Sequence, residues 1–330
     1  MTSTHTHRRR GLVALALVAS VAGGAFASAT TAGASVRSGR TSAATAAGPT
    51  YTYATLDSSQ DPTFNQLLGI NDQQVIAGYF GSGTPPTTNP NHGYTIDPPY
   101  GQANYTNENF PGSQQTQVVA INDFGNTAGF YTNTAEANFG FYTQNGKFYS
   151  VTDPATTSSP KFNQLLGRNN NSLVVGFYND AAGNSHAYEY NVKTKVFTAI
   201  NPPGAVSAAA AGINDENDVV GFLTTSSGAM KGFLWENGTY SEFEVHNSAA
   251  TAAFGVNDIG QVVGSYTAGG VSEGFIRSAS GAVTTISDPS GVGGTVLNGI
   301  NNGGSVVGFY IDAAGNTDGL LAVPTPTPVS

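Results

Sequence analysis

Six oxygen-rich dipeptides recur along the chain: Asn71-Asp72, Asn122-Asp123, Asn169-Asn170, Asn214-Asp215, Asn257-Asp258 and Asn301-Asn302. Carboxylate and carboxamide oxygens are the ligands that hard cations take, so six such turns facing one axis could hold a metal ion. Their recurrence in every copy favours a plainer role. Asn and Asp side chains bond their own backbone and tolerate tight turn geometry. Two further stretches, 180–184 and 312–316, resemble calcium loops only faintly, because they lack the alternating carboxylates and closing Glu of an EF-hand. They read as hairpins, and neither a metal nor a cofactor is expected.

The spacing of the dipeptides says what must carry them. Their first Asn falls at 71, 122, 169, 214, 257 and 301, each followed seven residues later by a Gly. Steps of 51, 47, 45, 43 and 44 residues define a repeat whose copies are single supersecondary units. In the fourth copy, 209–213, 219–223, 232–235 and 240–245 are apolar-rich runs separated by Asn, Asp, Gly and Ser. That is the pattern of strands joined by hairpins. Asn-Gly at 145–146 and 237–238 predicts two-residue turns, whose centre positions both take positive φ. No stretch beyond the N-terminal region shows a helical period.

Four antiparallel strands in about 45 residues make one propeller blade. A lone four-stranded sheet cannot bury both faces, whereas blades packed face to face around an axis can. The expected fold is therefore all-β, a six-bladed β-propeller over 51–323 with four antiparallel strands per blade. The sixth copy stops at its third strand, 319–323, and the missing fourth run stands at the other end, 51–57. An N-terminal strand completing the last blade closes the ring.

Differences between the copies point to a site. Five places upstream of the repeated Asn stand Gln66, Gln117, Gln164, Ala209, Ala252 and Val296, and one place further Asn65, Thr116, Asn163, Ala208, Thr251 and Thr295. The first strand is innermost, so its beginning borders the central channel, with amides in blades one to three and small apolar groups in four to six. Arg168 replaces the Ile or Val of the other copies, and a buried guanidinium needs a carboxylate, carbonyl or ligand partner. The near-identity of 64–69 and 162–167 is also what a duplication of blades leaves behind. Blade one carries a longer loop, 81–91, and a one-off insertion on a symmetric scaffold is where function tends to be added. His92 and His186 share one repeat position, which argues for a structural hydrogen bond, while His246 sits in a turn where other copies have Asp or Pro. No His-x-x-x-His pair, nucleophile elbow, phosphate loop or dinucleotide fingerprint is present.

Residues 1–34 have the layout of a secretory signal: Arg8-Arg9-Arg10, an apolar stretch over 11–26, then small-residue sites. That stretch is too short and Ala/Gly-rich for a membrane anchor. An Ala/Thr/Ser linker follows over 35–50, and a Pro/Thr tail over 324–330. The chain has no cysteine, so no disulfide or thiolate metal site is possible. Beyond residue 50 it carries 7 basic against 21 acidic residues, a net charge of −14. Such a charge repels phosphate backbones and anionic lipid, which sets nucleic acid and membrane surfaces aside as partners.

Gly212-Ile213-Asn214-Asp215…Val219-Val220-Gly221 with Gly232-Phe233, and Gly255-Val256-Asn257-Asp258-Ile259-Gly260…Gly264 with Gly274-Phe275, resemble the HAF repeat of bacterial extracellular proteins. Its name-giving triplet survives as His92-Gly93-Tyr94 and His186-Ala187-Tyr188, with Phe139, Lys231, Glu273 and Asp318 replacing the histidine elsewhere. The resemblance covers the whole repeat region and implies an extracellular repeat protein without implying an activity. Together these features lead to a secreted, monomeric binding module. Its ligand would be a neutral polar small molecule, a glycan or a cell-surface protein at the channel mouth, met by Asn65, Gln66, Gln117, Asn163, Gln164, Arg168, His186 and His246. The alternative is a metal-independent hydrolase, lyase or cyclase with its pocket on the same axis and Arg168 as electrostatic stabiliser.

Overall fold

The computed structural model describes residues 50–325; the signal segment, the linker up to 49 and the tail from 326 lie outside them. Six four-stranded antiparallel sheets form a six-bladed β-propeller, each sheet ordered from the axis outward. The innermost strands are Asn65–Ile70, Gln115–Ile121, Asn163–Arg168, Ala205–Ile213, Thr251–Val256 and Gly294–Ile300. In the sixth sheet the outermost strand is Tyr51–Thr55, paired antiparallel with Thr317–Pro324. The ring thus closes as the repeat pattern requires, and its last strand runs one residue past the expected boundary. The described helix content is one 3-10 turn, Gln102–Asn104.

Each blade buries its faces against its neighbours. Between blades two and three, Tyr142 and Ala128 pack with Leu165, Val174, Tyr188 and Tyr190; between six and one, Val307 and Leu321 pack with Leu67, Ile70 and Ile76. Complete burial of one such side chain contributes about 1.5–3 kcal/mol. The Asn-Gly turns adopt the expected conformation, with φ of 52° and 71° at Asn145 and Gly146 and 49° and 80° at Asn237 and Gly238. Both faint calcium loops are hairpins, the Asp180 and Asp312 carboxylates each accepting two N–H groups of their own turn.

Every innermost strand carries a β-bulge at the same place, between Leu67 and Gly69 in blade one and between Leu165 and Gly167 in blade three, for example. A bulge leaves one residue without a cross-strand partner and re-aims its side chain. Here those residues are Leu68, Val119, Leu166, Ala211, Phe254 and Asn298, and all six line the axis. The bulge also explains the motif glycine. A Cβ on Gly78, Gly129, Gly176, Gly221, Gly264 or Gly308 would lie 1.9 to 2.4 Å from a carbonyl oxygen of the bulged strand.

Two residues past the closing strand stands a carboxyl whose surroundings shift its titration. Asp57 Oδ1 accepts the Gly319 N–H at 2.9 Å. Burial pushes its pKa up to about 6, the Gly319 bond opposes this, and Asp318 and Asp312 add to the rise. An unfolded Asp titrates near about 3.9, so between those values the folded chain holds a proton the unfolded chain has lost, and stability falls as pH rises. The melting temperature should therefore decline from pH 5 to pH 7.5, within the range set by about 6 for the folded group. Asp57→Asn, which keeps the acceptor, should flatten that slope and melt higher at the upper end; an unchanged slope would assign the dependence elsewhere.

Candidate functional site

The axis has two unlike ends. One, the turn face, carries the first-to-second-strand turns with the six repeated dipeptides. Each leading Asn accepts, through Oδ1, the N–H four residues on, from Asn71 with Val75 to Asn301 with Ser305. Its Nδ2 does something the sequence did not reveal: it donates to the carbonyl of the next blade's Asn. The chain of bonds runs Asn71, Asn122, Asn169, Asn214, Asn257, Asn301 and back to Asn71, all at 3.0–3.1 Å.

A second circle lies beside it. The backbone N–H of each following residue donates to the side chain of its counterpart in the next blade, from Asp72 to Asp123 and finally Asn302 to Asp72, at 2.7–3.0 Å. Asn170 and Asn302 stand in place of Asp in every third blade, and each spreads its amide over two flanking carboxylates. These groups surround a cavity of about 90 Å³. The four carboxylates are thereby committed to holding blades together, and among the described residues no three His, Asp or Glu side chains gather as a metal would require.

Inward from this mouth, the bulge residues line about 80 Å³ of channel. Asn298 is the polar exception in that layer and donates Nδ2 to the Leu67 carbonyl at 3.0 Å.

The opposite end, the loop face, carries the second-to-third-strand loops and the blade-to-blade connections. Cross-strand pairs facing the axis here are Gln66–Tyr79, Gln117–Phe130, Gln164–Phe177, Ala209–Phe222, Ala252–Ser265 and Val296–Phe309. With Phe64, Phe162 and Met230 they form an aromatic plug. The three glutamines are brought together around it but fare differently. Tyr79 donates its hydroxyl to Gln66 Oε1 at 2.9 Å. Gln117 donates Nε2 to Asn91 Oδ1 at 2.9 Å, which gives the blade-one insertion a definite contact. Gln164 faces Phe177, which has no hydroxyl, and its Oε1 is buried without a donor among the described residues. Gln66 and Gln164 are each only 3% exposed, whereas Gln117, Phe162, Ala250 and Ser265 beside them are half-buried and open to the loop face.

The remaining sequence candidates lie elsewhere. Asn65 and Asn163 are fully buried and pin the connection from the preceding blade: Oδ1 accepts the N–H of Ser58 and of Asp153 respectively. Thr116, Thr251 and Thr295 do the same with their hydroxyls. Strand alternation turns these residues away from the face their glutamine neighbours use. Arg168 points between blades two and three. Its Nη1 donates to the carbonyls of Thr143 at 2.7 Å and Thr127 at 3.1 Å, and the guanidinium lies 5.8 Å from the Tyr142 ring centroid. Burial brings its pKa down to about 10. His186 bonds Asp180 at 3.0 Å and stacks on Tyr178, and the hydrogen bond to His186 is the main cause holding the Asp180 carboxyl down at about 2. His246 is exposed, edge-on to Tyr266. His186 starts the third strand at the loop face and Arg168 ends the first strand at the turn face, so the two lie at opposite ends of one blade.

The sequence matches no family model, and no curated protein matches it. In three dimensions the chain is similar to several solved propellers. AofleA from Arthrobotrys oligospora superposes with a TM-score of 0.51 at 11% identity, over 81% of this chain and 84% of that one. Aleuria aurantia lectin in complex with α-methyl-L-fucoside gives 0.50 at 12% identity, over 80% and 96%. TolB from Acinetobacter baumannii gives 0.50 at 10%, over 81% and 65%. At these identities the likeness shows the fold alone, and the fold hosts many roles.

The Arg168 geometry makes a stability prediction. Replacing a buried ion by a packed apolar residue is often neutral or stabilising, whereas truncating it leaves a cavity. Arg168→Ile, the residue of four of the other blades, should leave urea stability unchanged or raise it by up to about 2 kcal/mol. Arg168→Ala should lower it by about 2 kcal/mol or more. A comparable loss in both would show that the two carbonyl bonds are a net source of stability.

Proposed function

We propose that this propeller is an extracellular binding module for an uncharged polar small molecule with a ring-shaped body, glycan-like in chemistry, taken up at the loop-face end of the axis. The observation that supports this reading is the Gln164 carbonyl, an acceptor without a donor, set among Phe162, Phe177 and their aromatic neighbours. Burying such an acceptor unpaired costs about 1–3 kcal/mol, so a ligand that brings a hydroxyl or N–H recovers that free energy on binding. Aromatic faces accept the apolar side of a ring while amides orient its polar edge. The amides and rings at this end carry no charge, and burying a charged group without a counter-ion is costly, which favours a neutral ligand. The part of this layer that reaches the surface is the half-buried Gln117, Phe162, Ala250 and Ser265, which a ligand would meet first. Arg168 is spent on the Thr127 and Thr143 carbonyls at the turn face, away from this end of the axis, so the enzymatic alternative would lack its electrostatic stabiliser here.

Gln164→Leu tests the reading, because it removes the unpaired acceptor while keeping the volume. On its own the variant should be as stable as the parent or more stable by about 1–2 kcal/mol. In a thermal-shift panel of neutral saccharides and cyclic alcohols, a ligand that raises the melting temperature of the parent should leave the variant unmoved. A shift that survives in Gln164→Leu, or a panel that moves neither protein, would remove the axial site.

A further inference from the structure

The opposite face of the molecule carries a feature unrelated to the axis. The third-to-fourth-strand hairpin of blade three is longer than the Asn-Gly turns of blades two and four, running through Asn191-Val192-Lys193-Thr194-Lys195. Lys195 adopts φ of 64°, a left-handed conformation that costs a side-chain-bearing residue free energy and that Gly would adopt more readily. Its ammonium lies over blade two. Nζ donates to the Tyr142 hydroxyl at 2.6 Å and lies 5.2, 5.8 and 6.0 Å from the ring centroids of Tyr142, Tyr149 and Tyr190. The hydrogen bond to Tyr142 is the main cause holding the ammonium above its usual pKa.

Charge is distributed oddly around this point. Beyond residue 50 the chain has 7 basic residues against 21 acidic ones, yet Lys147, Lys193 and Lys195 all lie exposed on these two neighbouring hairpins. Among the described residues none of the three forms an ion pair, unlike Lys231, which meets both Glu242 and Glu244. Lys147 and Tyr149 are two apart on one strand and so share the sheet face that looks toward Lys195. Glu189 alternates to the other side of its strand from Tyr188 and Tyr190. Tyr149 stacks on Tyr142 at 5.1 Å with an interplanar angle of 13° and remains 42% exposed. The corner therefore offers an outward aromatic face flanked by three ammonium groups without an ion pair among the described residues, on a strongly acidic body.

We infer that the blade two–blade three corner of the turn face is a second binding surface, for a uronate-bearing polysaccharide. A pyranose ring would lie on Tyr149 while its carboxylates meet Lys195, Lys147 and Lys193. An acidic peptide would satisfy the lysines equally but makes no use of the exposed ring. The site is independent of the axial one, which lies at the other end of the molecule.

The test is affinity electrophoresis of the full propeller through gels holding polygalacturonate, its fully methyl-esterified form, or poly-glutamate. Polygalacturonate should retard the parent, the uncharged ester should not, and added salt should weaken the retardation because exposed charges are screened. Lys147→Ala/Lys195→Ala should weaken binding at least about tenfold, the scale of losing two charge-assisted contacts. Tyr149→Ala should weaken it with the charges intact. Gln164→Leu should leave it unchanged, so failure of the axial reading and failure of this one are told apart. Tyr149→Ser, with circular dichroism to confirm folding, guards against a merely misfolded alanine variant. Equal retardation by the ester, retention in the double lysine variant, or tighter binding of poly-glutamate that ignores Tyr149 would each overturn the assignment.

Discussion

The inner strands approach the axis so closely that five of the six blades leave no room for a side chain between one backbone and the next. At Gly69, Gly167, Gly212, Gly255 and Gly299 a Cβ would stand 2.7 to 3.0 Å from the carbonyl oxygen of the following blade's bulge residue; blade two manages with Ala120. This crowding sets the distance between neighbouring turns, and that distance is what an asparagine side chain spans from its own turn to the next carbonyl. Two circles of hydrogen bonds then follow without a free end. Each Asn is used at both atoms, so deleting one opens its own turn and the seam beside it. Because buried amides left unpaired are expensive, the geometry tolerates few alternatives at these positions.

The molecule is cyclic in backbone yet not in chemistry. Around the loop-face end, one phenolic hydroxyl decides whether a glutamine is paired, as at Tyr79, or unpaired, as at Phe177. Nearby, the insertion in blade one supplies Asn91 to Gln117. Small departures from the repeat therefore carry more functional meaning than the repeat itself, since sixfold features are accounted for by closure.

How much of this was legible in the sequence follows from the range of each interaction. Strand number, hairpin type and ring closure rest on period and turn chemistry within about 45 residues, and they were readable. The own-turn role of the repeated Asn was readable for the same reason. Its second bond reaches a residue 43 to 51 positions away in the chain or, at the seam, 230, and depends on an interblade distance no local pattern encodes. Composition alone groups Asn65 and Asn163 with their glutamine neighbours, whereas adjacent strand residues face opposite ways. Arg168 was correctly expected to need a partner, but carbonyls of blade two could not be named from a position 25 and 41 residues downstream of them. The Lys195 cluster has no signature in the sequence, because its tyrosines belong to two different repeats.

The order of the outer circle, Asp-Asp-Asn twice over, makes the closure of the ring depend on two amides staying amides. Each amide separates two carboxylates that it also binds. Asn302 precedes Gly303, the neighbour that least obstructs attack of the following backbone nitrogen on an asparagine side chain, and asparagine is among the thermolabile residues. Deamidation there would replace a shared donor by a fifth carboxylate, giving an unbroken arc of Asp258, the new acid, Asp72 and Asp123. That arc spans the seam joining blade six, which holds the first and last described strands, to blade one. Chemical ageing of this one side chain would thus be felt where the ring has only non-covalent closure.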